Sequence, residues 1–272
     1  MPSYVITGVS RGLGFEFLRQ LSKDPSAVVI GLARDKAATE KKVAANIGRS
    51  NIHILHGDMV NYESLKKAAE DVSKITGGRL DYLIANAAII SDLTAFSTLH
   101  DHVDDHEALE EDLLSSYKTN VVGNIHLFNL FLPLIRKGEA KKIISISTGM
   151  ADIDLVSKFD IDTNGPYAMS KIALNLAVAK YSVEFRSEGI LFMSISPGVV
   201  DTGNLKPEKL SEKDLKGLHK MLASFAQYAP HFKGPMTEEE SIRQVLNVIN
   251  NASVERGDSG SFVSHFGDKQ WL

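Results

Sequence analysis

The chain has no cysteine among its 272 residues. That excludes a disulfide framework, a thiolate metal site and a cysteine nucleophile, and it fits a reducing compartment. Long apolar runs are also missing: none approaches the roughly 18–20 residues that span a bilayer. Nor is there an excess of positive charge. Lys and Arg number 30 against 34 Asp and Glu, a formal net charge of −4, so nucleic acid and anionic lipid are not expected as main partners. The first strand is expected to begin by Ser3, which leaves no space for a leader peptide. The ending Asp268-Lys269-Gln270-Trp271-Leu272 carries no address signal. Cytoplasm is the expected location.

What is present is alternation. Short, nearly continuous apolar runs at Tyr4–Thr7, Val28–Ala33, Ile52–His56, Leu80–Ala85, Ile143–Ser147, Leu191–Ser196 and Ser261–Ser264 read as strands covered on both faces. Helical patterns separate them, at Leu13–Leu21, Lys36–Ile47, Tyr62–Ile75, Leu109–Arg136, Tyr167–Arg186 and Glu238–Asn250. Repeated β-α alternation predicts an α/β fold: a doubly wound, Rossmann-like parallel sheet of about seven strands with helices on both faces. With no repeat or linker in view, residues 1–272 are expected to form one domain.

The first strand runs into Thr7-Gly8-Val9-Ser10-Arg11-Gly12-Leu13-Gly14. Glycines at this place let the backbone turn tightly and approach a pyrophosphate, which rests on the N–H groups opening the next helix. The second strand ends Leu32-Ala33-Arg34, where an NAD-binding chain would usually offer a carboxylate to the ribose. Ala33 offers nothing, whereas Arg34, seconded by Arg11, can hold a 2′-phosphate, so NADP(H) is expected over NAD. The alternative has both arginines as surface residues and Asp35 on the ribose. Asp58, followed by Met59 past the third strand, is placed to accept from an adenine amino group.

Further on, Tyr167 and Lys171 stand at i and i+4 and share a helix face. A phenol near its ordinary pKa of about 10 is a poor acid–base group at neutral pH, and a neighbouring ammonium is expected to lower it. The phenol can then give a proton to a carbonyl oxygen as hydride arrives.

The glycine string, Asn86-Ala87-Ala88, the Tyr167/Lys171 pair and Pro197-Gly198-Val199-Val200-Asp201-Thr202 together resemble the short-chain dehydrogenase/reductase family over essentially the whole chain. The ending Phe262–Trp271 is similar to the tail of the sniffer-like and C-factor-like carbonyl reductases. The resemblance implies that Tyr167 is the proton donor and that Lys171 tunes it and binds the nicotinamide ribose. It implies that Asn120 helps hold a water linking Lys171 to solvent. Cofactor contacts are implied for Gly8, Ser10, Arg11, Gly12, Leu13, Gly14, Arg34, Asp58, Met59, Asn86, Ala87, Pro197, Gly198, Val200 and Thr202, besides Tyr167 and Lys171. The substrate-orienting hydroxyl falls on Thr148 of the Ser147-Thr148 pair, with Ser147 remaining open if the strand register shifts by one. Ala88 departs from the family's glycine and adds a methyl near the cofactor.

The expected activity is NADPH-dependent reduction of a small-molecule ketone or aldehyde to an alcohol, or the reverse. A catalytically silent NADP-binding regulator and a non-redox enzyme using the nucleotide structurally are the alternatives. Substrate contacts are expected from Ser91–Asp105, Gly149–Asn164 and Gly203–Pro235, the last a candidate lid. The acidic and histidine-rich run His100–Glu107 reads as a solvated loop and helix start rather than a metal site. An apolar face along Leu109–Arg136 is compatible with a homodimer or homotetramer.

Overall fold

A computed structural model describes residues 1–203, 208 and 210–272. Of the expected lid, residues 204–207 and Lys209 therefore lie outside the described residues. In chain order the elements are β1 (Ser3–Thr7), α1 (Gly12–Leu21), β2 (Val28–Ala33), α2 (Lys36–Asn46), β3 (Ile52–His56), α3 (Tyr62–Thr76) and β4 (Tyr82–Ala85). They continue with α4 (His106–Tyr117), α5 (Gly123–Ile135), β5 (Lys142–Ile146), α6 (Ile153–Lys158), α7 (Gly165–Phe185) and β6 (Leu191–Ser196). The last are β7 (Val200–Asp201), α8 (Glu212–Tyr228), β8 (Met236–Thr237), α9 (Glu238–Asn251) and β9 (Phe262–Ser264).

Seven strands form one parallel sheet in the order β3-β2-β1-β4-β5-β6-β9. The order reverses between β1 and β4, which pair through Tyr4–Tyr82, Val5–Leu83 and Ile6–Ile84. At such a switch point the connections leave in opposite directions, and a crevice opens at the strands' carboxyl ends. Side-chain alternation divides the core between the two faces. Val5, Ile30, Leu83, Ile143 and Phe192 pack with α3, α5 and α7 through Leu65, Phe128, Phe131 and Leu174. Ile6, Val29, Ile84, Ile144 and Ile195 pack with α1, α2 and α9 through Phe17, Val43 and Val245. Leu114 and Tyr117 of α4, and Leu176 and Val183 of α7, remain exposed.

Several boundaries differ from the sequence reading for identifiable reasons. β4 begins at Tyr82 because Asp81 is used as a clamp: its carboxylate accepts from Ser3 N and Oγ (2.9 and 2.8 Å) and from Glu139 N (2.7 Å). β5 ends at Ile146 and β9 starts at Phe262, so Ser147 and Ser261 stand just outside the sheet. The helix expected over Leu109–Arg136 starts earlier, at His106, where Asp105 caps it (Oδ1 accepts from Ala108 N, 3.4 Å). It is then interrupted by a π-helical turn, Lys118–Val122. Nothing in the sequence reading anticipated α6 or the β7–β8 pair (Val200–Met236, Asp201–Thr237); α8 falls in the Gly203–Pro235 segment, read as a lid or as a helical insertion packed on the surface. α8 starts at a capping box between Ser211 and Asp214.

Candidate active site

A cleft of about 1060 Å³ opens over the carboxyl ends of β1, β2 and β4. Gly8, Ser10, Arg11, Gly12, Leu13, Arg34, Asp58, Met59, Asn86, Ala87 and Thr202 all line it, as does exposed Ala88. Two glycines are structural necessities here. Gly8 has φ +72° and a Cβ would meet Ala87 Cα at 2.9 Å; at Gly14 a Cβ would meet the Gly8 carbonyl oxygen at 2.2 Å. Gly14 thus lies beneath the loop rather than in the cleft wall. α1 begins after Arg11 with no side-chain cap, which leaves its first N–H groups directed at the cleft for an anion.

Asn86 and Ala87 bind this loop to β4. Their N–H groups donate to Thr7 Oγ1 (3.0 and 2.9 Å), and Asn86 Nδ2 donates to Thr7 O (2.9 Å). Lys42, which the sequence did not single out, donates to Ser10 O (3.0 Å) from α2. Among the described residues neither the Arg11 nor the Arg34 guanidinium has a protein partner, and both are exposed. Asp35, by contrast, caps α2, its Oδ1 accepting from Ala38 N (2.9 Å). Asp58 Oδ1 accepts from Val60 N (3.1 Å).

A second cavity, of about 510 Å³, adjoins the cleft; Ile90, Ala95, Phe96 and Thr202 line both. Ser147, Thr148, Tyr167, Pro197, Gly198 and Val200 line the second cavity. Its remaining wall is largely apolar, from Met150 and Leu155, from Leu218, Met221, Leu222 and Phe225 of α8, and from Trp271. Trp271 stacks on Phe262 (4.5 Å between centroids) and donates its N–H to Tyr228 Oη (3.0 Å). The sequence had flagged the tail only by its likeness to other tails, since nothing local says that it folds back over the cavity.

Residues 3–213 match the model of the short chain dehydrogenase family. The chain belongs to the short-chain dehydrogenase family. A short chain dehydrogenase of Hypocrea virens, virK, is 52% identical with all of both chains covered. The carbonyl reductase Sniffer of D. melanogaster superposes with a TM-score of 0.75 at 26% identity, covering 98% of each chain. An NADPH-bound carbonyl reductase from chicken fatty liver superposes with a TM-score of 0.76 at 24% identity, again over 98% of each chain; at that identity the likeness speaks for the fold.

Within this short-chain dehydrogenase, Lys171 and Asn120 lie behind the cavity. Lys171 is 1% exposed, and its Nζ donates to Ile146 O (2.6 Å) and stands 5.7 Å from the Tyr167 ring centroid. Burial pushes its pKa down from 10.5 to about 8. Burial also pushes the Tyr167 phenol up. The sequence reading had the ammonium lowering the phenol; here desolvation alone sets the direction for both groups. The Asn120 side chain is fully committed. Its Oδ1 accepts from Ile89 N (2.9 Å), and its Nδ2 donates to Ile89 O (3.0 Å) and Ser170 Oγ (2.9 Å). The π turn brings Asn120 to that junction, and Asn124 Nδ2 donates to its main-chain oxygen (2.8 Å).

Thr148 Oγ1 accepts a long bond from Met150 N (3.3 Å), which leaves its O–H free to donate. Ser147 Oγ is buried with no partner. In the His100–Glu107 run, His102 Nε2 pairs with Ser97 Oγ (2.6 Å) and Asp101 accepts from Thr98 N (2.8 Å). These groups serve the local turn.

The buried lysine makes a stability prediction. Folding lowers its pKa, so the unfolded chain holds more protons between about pH 8 and 10.5, and stability rises with pH across that window. Below the window the fold carries the whole cost of the buried ammonium, on the order of 3 kcal/mol. Lys171→Met is therefore expected to melt higher than the parent at pH 7, with the gap closing by pH 10.5. A lower melting temperature at pH 7 would mean that the bond to Ile146 outweighs burial.

Proposed function

We propose that this short-chain dehydrogenase is an NADPH-dependent reductase of a ketone or aldehyde. The observation that carries the reading is the adjacency of the two compartments. The cleft suited to a dinucleotide meets, at Thr202 and Phe96, a largely apolar cavity that holds Tyr167, Ser147 and Thr148. The cleft fits NADP(H) on its own terms: Gly8 and Gly14 leave a cradle that a Cβ would fill, and two cations without partners among the described residues face it. Gly12, Leu13 and Asn86 would hold the pyrophosphate side, Arg34 and Arg11 the 2′-phosphate, Asp58 and Met59 the adenine, and Pro197, Gly198, Val200 and Thr202 the nicotinamide side. When bound, the cofactor supplies hydride.

The chain's own groups manage the proton. Tyr167, kept protonated by burial, donates to the substrate oxygen. Lys171, whose pKa of about 8 lies near working pH, replaces that proton. Asn120 acts by position: it ties Ile89 to Ser170, next to Lys171. α8, laid over the cavity through Leu218, Met221 and Phe225, serves as the lid. Lys213 and Lys220 hold it to Asp101 (3.2 Å) and Asp162 across the mouth.

The direct test is consumption of NADPH, with NADH in parallel, by purified protein against aldehydes, ketones and quinones. Tight NADPH binding without turnover on any of them would favour a silent regulator. Thr148 is assigned as the hydroxyl that polarises the carbonyl. Thr148→Ser is expected to keep most activity, while Thr148→Val loses about 100-fold in kcat. Ser147→Ala should stay within about threefold; the reverse pattern would transfer the role to Ser147.

A further inference from the structure

Asn164 opens α7, and its backbone is fully employed. Its N–H donates to Thr94 O and Ser97 O (3.1 and 3.3 Å), and its carbonyl accepts from Ala168 N (3.1 Å). It sits in the left-handed region at φ 59°, ψ 38°, a conformation glycine adopts freely and asparagine tolerates. An asparagine at a helix start ordinarily gives its side-chain oxygen to the first-turn amides. Here it gives none. The residue is 7% exposed, its Oδ1 is buried without a partner, and it lines the second cavity three residues before Tyr167.

Among the described residues nothing donates to this amide oxygen. Glycine would satisfy the backbone more easily and would leave no polar atom orphaned. A polar group kept dry and unpaired in a binding cavity is one that a ligand completes. Of the other polar groups in the wall, Tyr167 and Thr148 serve the reacting carbonyl and Asp201 Oδ1 accepts from Gly203 N (2.9 Å), while Ser147 Oγ, also without a partner among the described residues, stands beside Thr148 at the end of β5. The geometry points to Asn164 as a second substrate anchor, whose Oδ1 accepts a hydrogen bond from a hydroxyl of the molecule being reduced. The substrate class is thus a mainly apolar ketone or aldehyde that also carries a hydroxyl close to the reacting carbonyl. Phe96, Phe225 and Trp271 in the same wall suit a ring system as the apolar part. This inference rests on the reductase reading for the reacting carbonyl, but the binding of the second oxygen does not depend on turnover.

The experiment compares 1-tetralone with its hydroxylated analogues in the parent and in Asn164→Gly, which preserves the left-handed backbone while removing the amide. In the parent, at least one hydroxy-tetralone should exceed 1-tetralone in kcat/KM by about tenfold or more. In Asn164→Gly that ratio should collapse to near one. A merely structural role would lower both substrates and leave the ratio standing, and an unchanged ratio overturns the assignment. Should Asn164→Gly fold poorly by circular dichroism, Asn164→Ala, which also removes the acceptor, is read by the same ratio.

Trp271 is the chain's one tryptophan and lines this cavity, so quenching of its fluorescence gives the Kd ratio independently of catalysis. If no tetralone is turned over but the binding preference exists and vanishes in the variant, the anchor stands and the reductase reading falls. Equal binding of both compounds in the parent, or no binding at all, overturns the anchor.

Discussion

Tyr167→Phe is expected to lower turnover by about a thousandfold or more while leaving NADPH affinity within a few-fold. The variant removes one oxygen from a half-buried ring and leaves the cleft untouched, so cofactor binding has no cause to fall. What it removes, in the proposed mechanism, is the proton source, and positioned general acids contribute about 10²–10⁴ in rate. Because burial raises the phenol and nothing nearby lowers it, no water-borne acid of comparable placement substitutes. The pH dependence follows from Lys171. Reduction needs the protonated ammonium to resupply Tyr167, so kcat in the parent should fall as pH rises through about 8. Steady-state kinetics, with NADPH titrated separately by fluorescence, reads both effects. Undiminished turnover in Tyr167→Phe would end the mechanism. A kcat flat from pH 7 to 10 would remove Lys171 from the proton path.

The groups proposed for this chemistry were legible because each belongs to a local pattern. β1, β2 and β6 are continuous apolar runs, and Gly8 to Gly14 sit where a strand must turn into a helix. Tyr167 and Lys171 are tied by helical spacing alone. What escaped the sequence depends on contacts between distant segments. The π turn at Lys118–Val122 has no signal of its own in the sequence, because its residues are ones an ordinary helix accepts and it lies between two helical stretches. β7 and β8 are two residues each and exist only because Val200 and Met236 meet. Trp271 becomes a cavity wall only through Tyr228 and Phe262. Asn164 lay inside a segment expected to touch substrate, yet Asn-Gly-Pro reads as an ordinary turn. Its distinction is the amide that folding leaves without a bond. The sign of the Tyr167 shift escaped for the same reason, because spacing reveals a neighbour but not how dry the pair becomes.

Arg34→Ala is expected to reduce the preference for NADPH over NADH by about ten- to a hundredfold, chiefly through KM for NADPH. Hydrogen bonds to a charged group contribute about 1.5–3 kcal/mol, and each 1.4 kcal/mol is one decade in affinity. Arg34 is exposed, so screening draws the expected value toward the lower end, and the preference in the parent should itself decline with added salt. Arg11 faces the same cleft. If both guanidiniums hold one phosphate, Arg11→Ala should weaken NADPH as well, and the double variant should lose less than the product of the two, because the pair is coupled. Asp35 supplies the contrast. Its carboxylate already caps α2, so Asp35→Ala should cost about 1 kcal/mol of stability and leave NADH use as it was. If instead Asp35→Ala abolishes NADH use while Arg34→Ala changes nothing, the ribose is held by the carboxylate and the chain is an NAD enzyme. The Arg34→Ala preference ratio decides between them, because one reading has it fall by about ten- to a hundredfold and the other leaves it standing.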